Sequence, residues 1–173
     1  NDGVYSSKLI KLGDEDDSLV YKVVLMDSRY HKDPTGTENG DFLGALQWEW
    51  LMEELLDPEA HFILLGSSIV LTPDDKMLEE TWSEFPAARE RLLKLICYTS
   101  FLNGNRPVVI MSGDIHGAEL SQSSCKCHSS TNPGAKDSSG TSSSEPFEIK
   151  LVELTSSGLS HSFSQTTIPP SKE

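Results

Sequence analysis

Apolar residues in this chain fall into short runs and helical stripes separated by polar loops. Residues 21–26, 62–65 and 108–111 are almost continuously apolar, which predicts strands covered within a sheet. Residues 147–154 predict another strand, alternating at first. Between them, residues 43–56 carry Leu46, Trp48, Trp50, Leu51 and Leu55 in an amphipathic helical pattern that Asp57-Pro58 ends. A longer helix opens at Pro86, takes its apolar face from Leu92, Leu95, Ile96 and Leu102, and stops at Gly104. A short helical turn is expected around residues 77–82, and residues 30–43 form a loop. The acidic run Asp14-Glu15-Asp16-Asp17 reads as a solvated turn after a first short strand. It lacks the Gly and the distal Glu of an EF-hand loop. Residues 121–146 are dominated by Ser, Thr and Gly, so a flexible insertion is expected there.

The strands end in chemistry. The third apolar run leads into Ser112-Gly113-Asp114-Ile115-His116, with a carboxylate and an imidazole at i and i+2. In an extended chain both point to one side and could converge on one cation. The plainer alternative is a turn carboxylate and a hydrogen-bonded histidine. The first run ends in Asp27-Ser28-Arg29, either a structural ion pair or a substrate contact, and the second ends in Gly66-Ser67-Ser68. With these strands parallel, Asp27, Arg29, Ser67, Ser68, Asp114 and His116 share one edge, where ligands bind in open α/β sheets. The three tryptophans read as packing residues, and His31, His61 and His128 as surface or satisfied-core residues.

Length and charge narrow the picture. At 173 residues the chain suits one domain. With 27 acidic and 14 basic residues it lacks the basic footprint of a nucleic-acid or anionic-membrane binder, while a local phosphate site with metal ions stays open. No apolar run is long enough to span a bilayer. Cys97 sits in a helical apolar pattern and is expected to be packed. Cys125-Lys126-Cys127-His128 offers soft ligands without the second spaced pair of a zinc site. No glycine-rich nucleotide-binding pattern occurs.

Several segments together resemble the PhoD-like alkaline phosphatases, within the calcineurin-like metallophosphatases. They are Asp27-Ser28-Arg29-Tyr30, Leu43-Gly44 through Gln47-Trp48-Glu49-Trp50-Leu51, and Glu80-Thr81-Trp82 with Phe85-Pro86 and Arg89-Glu90-Arg91-Leu92. Ser112 through Glu119 and Glu153-Leu154-Thr155-Ser156-Ser157-Gly158 complete the set. The resemblance implies a layered α/β sheet-and-helix fold, incomplete at its N-terminal side, with residues 1–173 as the C-terminal part of one metallophosphatase domain. It implies hydrolysis of phosphate mono- or diesters with metal ions, iron, calcium, zinc or manganese. Asp114 and His116 match the last metal motif of the family, whose earlier metal motifs lie upstream of Asn1. Ser67-Ser68-Ile69-Val70 departs from a Ser-Gly-x-Gln pattern common in relatives. Arg29 becomes a candidate phosphate contact, Asp27 its orienting partner or an indirect metal contact, and His161 a third group near the same edge. The expected partner is a small-molecule phosphate ester, and the family implies a secreted or membrane-associated parent. Weak or no activity is expected of the chain alone. The alternative is a non-catalytic, truncated interaction module. Oligomeric state is not legible.

Overall fold

A computed structural model describes residues 3–13, 18–72, 80–114, 117–128 and 146–156. One mixed sheet organises them. Its strands are β1 (Ser6–Leu12), β2 (Leu19–Leu25), β3 (Phe62–Gly66), β4 (Val108–Ser112), β5 (Ala118–His128) and β6 (Pro146–Ser156), in spatial order β1-β2-β3-β4-β6-β5. The four inner strands are parallel, and β1 and β5 close the edges antiparallel. Helices α1 (Gly44–Leu56) and α2 (Pro86–Leu102) make the crossovers from β2 to β3 and from β3 to β4. Successive parallel strands laid down in one direction by right-handed crossovers put both helices on one face. This is an α/β fold, as the apolar pattern predicts.

Alternation along each strand separates a dry face from an open one. Val24, Ile63, Leu65, Ile110 and Leu151 are fully buried and join Leu51 and Leu55 of α1 and Leu92 and Ile96 of α2 in one core. Burial of each such side chain is worth about 1.5–3 kcal/mol. On the other face Val23 and Leu64 are half-buried, while Leu25, Met111, Leu120 and Leu154 are exposed. Tyr21 and Phe62 stack there with ring centroids 5.2 Å apart.

The helix ends follow local chemistry. Leu43 provides no side-chain cap for α1, so Asp41 substitutes, accepting from the Gly44 amide at 3.0 Å and the Trp48 indole at 2.7 Å. At the other end Asp57 leaves helical geometry before Pro58, as expected from a residue preceding proline. Pro86 opens α2, and Gly104 follows its end at φ +72°, a left-handed conformation that glycine adopts without penalty.

Two local expectations need correction, and one cysteine carries a bond that its pattern did not signal. Residues 121–128, assigned to a flexible insertion, belong to β5 and pair residue by residue with β6 as far as Pro146. Backbone pairing holds this strand where composition gave no apolar signal. The helical turn expected around residues 77–82 is a 3-10 turn at Trp82–Glu84, and residues 73–79 lie outside the described residues. Cys97 is buried in the core as expected, but it is disulfide-bonded, whereas Cys125 is free and burial pushes its thiol up to about 11. Among the described residues no helix is long and apolar enough to cross a membrane.

Candidate site at the strand ends

The carboxyl ends of β2, β3 and β4 lie side by side because these strands are parallel and in register. Beyond β2 the Gln47 side chain of α1 clamps the backbone of Asp27, accepting from its N–H and donating to its carbonyl, each at 2.8 Å. The Asp27 carboxylate turns back on the chain. It accepts from the backbone N–H groups of Val4, Arg29 and Tyr30, each at 3.0 Å. Burial alone would raise this carboxyl; the three amide donors outweigh it and hold it below the ordinary aspartate value. Asp27 is therefore an Asx-type turn residue that aims the following loop. It makes no side-chain ion pair with Arg29, contrary to the simplest reading of their i, i+2 spacing.

Arg29 reaches across the strand ends instead. One guanidinium nitrogen donates to Glu80 and the other donates to Asp114 Oδ2 at 2.8 Å. Its side chain is half-exposed, at 52 %. Glu80 also pairs with Lys32 at 2.8 Å, and Lys32 pairs with Glu84 at 3.0 Å. The ammonium of Lys32 sits 6.0 Å and 5.9 Å from the ring centroids of Phe42 and Phe85. Burial alone would raise the Glu80 carboxyl, but contact with Lys32 and the charges of Arg29 and Lys32 hold it below the ordinary glutamate value.

The serines divide. Ser67 is structural: its hydroxyl accepts from the Trp82 indole at 3.0 Å and donates to the Ile69 carbonyl at 2.7 Å. Ser28 and Ser68 hydrogen-bond to each other through their hydroxyls. Next to them an open depression of about 500 Å³, lined by Leu25, Met26, Ser68, Met111 and Gly113 among others, occupies the rim of the sheet face opposite the helices.

Asp114 adopts φ +69°, so the chain departs from extended geometry at the first residue of the proposed metal pair. His116 and His161 both lie outside the described residues. Among the described residues no three His, Cys, Asp or Glu side chains gather as a metal site, and Asp114 faces a cation of the protein itself. By themselves the described residues do not fit a metal ion. Sequence reasoning assigned no role to Lys32 or to the Glu80 side chain. The adjacency of Glu80 to the buried Thr81-Trp82 pair was the available signal.

The chain matches the model of the family described as PhoD-like phosphatase over residues 13–168. No curated protein matches. A solved structure described as that of PhoD is similar, with a TM-score of 0.52 at 21 % identity. The match covers 79 % of this chain and 26 % of that one, so this chain spans about a quarter of that relative's length. At that identity the likeness concerns the fold.

Proposed function

Because this chain belongs to the PhoD-like phosphatase family, we propose that it carries one edge of a metal-dependent site that hydrolyses small-molecule phosphate mono- or diesters. The observation that supports this most is Arg29, a half-exposed guanidinium presented where three parallel strands end. A planar guanidinium fork matches a pair of phosphate oxygens, and Arg29 is the phosphate contact in this reading. Asp27 positions it through the turn it caps. Asp114 and His116 are this chain's contribution to a metal site, with iron, calcium, zinc or manganese as candidates, and further ligands come from elsewhere. His161 is assigned to the same edge.

Mass-spectrometric metal content and phosphatase assay of the purified chain test the reading together, beside an Asp114→Ala/His116→Ala double variant and a full-length family enzyme. Near-stoichiometric metal in the chain, lost in the variant, is expected, with little or no turnover by the chain alone. Absence of metal from both proteins would overturn the ligand assignment, and turnover equal to the full-length enzyme would overturn the partial-site assignment.

A second reading, a non-catalytic interaction module, draws on the closed character of the Arg29–Glu80–Lys32–Glu84 cluster, whose charges are already paired within the chain. It requires that the double variant match the parent in stability and in metal content.

A further inference from the structure

The Arg29 fork is spanned between two carboxylates on different loops, and the two are not equivalent. Glu80 adjoins a buried anchor: Thr81 and Trp82 beside it are buried, the Trp82 indole donates to Ser67, and Thr81 bridges to Val70. Its carboxylate is shared with Lys32, whose ammonium is neighboured by two aromatic rings and Glu84. Each meets Arg29 through a single oxygen, but Asp114, on the turn after β4, is 47 % exposed against 21 % for Glu80. A phosphate that takes the Arg29 donor now on Asp114 displaces that carboxylate, and one that takes the donor now on Glu80 displaces Glu80. Displacing Asp114 separates two half-exposed groups that water resolvates readily. Displacing Glu80 would leave a more buried carboxylate and disturb Lys32 as well.

We infer that Glu80, braced by Lys32, is the positioning residue that holds the Arg29 guanidinium at the strand-end cleft, and that in the metal-free chain Asp114 is the partner that yields when a phosphate oxyanion binds. The inference rests on Arg29 as the phosphate contact and deepens that reading. In this assignment Glu80 acts on a bound phosphate only through its contact with Arg29.

This gives opposite signs for two similar substitutions. By charge alone, neutralising either acid should strengthen anion binding. If Glu80 acts by positioning, Glu80→Gln weakens binding instead, by about tenfold for a loss of one charge-assisted contact. Asp114→Asn, which keeps a residue tolerant of the left-handed backbone, strengthens it several-fold.

The test is titration of the full chain with inorganic phosphate in the presence of chelator, read by NMR of the guanidinium groups, with melting curves to confirm folding. Arg29→Ala is included alone and combined with Glu80→Gln. The expected result is weaker binding for Glu80→Gln, tighter binding for Asp114→Asn, and no further effect of Glu80→Gln once Arg29 is alanine. Binding unchanged or tighter in Glu80→Gln, or an equal loss in the Arg29→Ala background, would overturn the positioning role. Weaker binding in Asp114→Asn would overturn its role as the yielding partner. No phosphate binding by the parent, or binding indifferent to Arg29→Ala, would instead overturn the assignment of Arg29 itself.

Discussion

Asp27 shows how one side chain can carry both fold and site geometry. Three backbone amides point at its carboxylate, so the charged form is the one the folded state prefers. Its pKa is lower folded than unfolded; the unfolded chain therefore binds the proton more readily, and acid favours unfolding. The stability contributed by Asp27 is present above the ordinary aspartate value of about 4 and is lost as pH falls through the depressed one. Asp27→Asn should cost about 1–3 kcal/mol at neutral pH, because an amide N–H₂ meets a backbone donor where an oxygen accepted. Chemical denaturation at pH 7 and pH 3 checks this: the gap between parent and variant should shrink in acid, and a constant gap would refute the linkage. Here the sequence was partly legible. The acid and the guanidinium at the end of β2 could be picked out as strand-end chemistry, but the inward turn of Asp27 depends also on the amide of Val4, 23 residues earlier, which no local spacing rule brings to it. Lys32 and Glu80 escaped for a related reason, since their partners stand 48 residues apart in the sequence and neither lies on a periodic stripe.

At the level of elements, Arg106 ties the end of α1 to the start of β4. It is 4 % exposed and donates to the carbonyls of Leu55, Asp57 and Ala60, the unsatisfied acceptors at and beyond a helix C-terminus. Burial lowers the guanidinium pKa against the favourable charge of Asp57, yet the group stays cationic, where the helix dipole favours it. Lysine lacks the fork needed to reach several carbonyls at once. Arg106→Lys should therefore destabilise the fold by roughly 3 kcal/mol, seen as a lower denaturation midpoint with an unchanged slope. A change within about 0.5 kcal/mol would show that the carbonyls find other donors. Strands buried among neighbours and helices with proline and glycine punctuation were readable along the chain. β5 was not, because Ser121, Gln122, Ser123 and Ser124 carry no apolar signal and owe their extended form to the partner strand.

Among the described residues the sheet is covered on one side only. Leu25, Met111 and Leu154 are exposed on the face without helices, while Leu65 on the covered face is fully buried. Met111→Lys or Leu154→Lys should change stability by no more than about 0.5 kcal/mol, whereas Leu65→Ala should cost about 2–5 kcal/mol. Equilibrium denaturation of the three variants compares the faces directly; a large penalty for either lysine would mean that the open face is covered in solution. The charged cluster belongs to this scale too, because Arg29 meets partners 51 and 85 residues away in the chain. Those groups come into reach only when both strand–helix–strand crossovers have closed and β2, β3 and β4 stand in their final order. Closing such long loops carries an entropic cost that local pairing avoids. The cluster is thus a proofreading mark of topology: a chain threaded wrongly, or folded halfway, presents none of it.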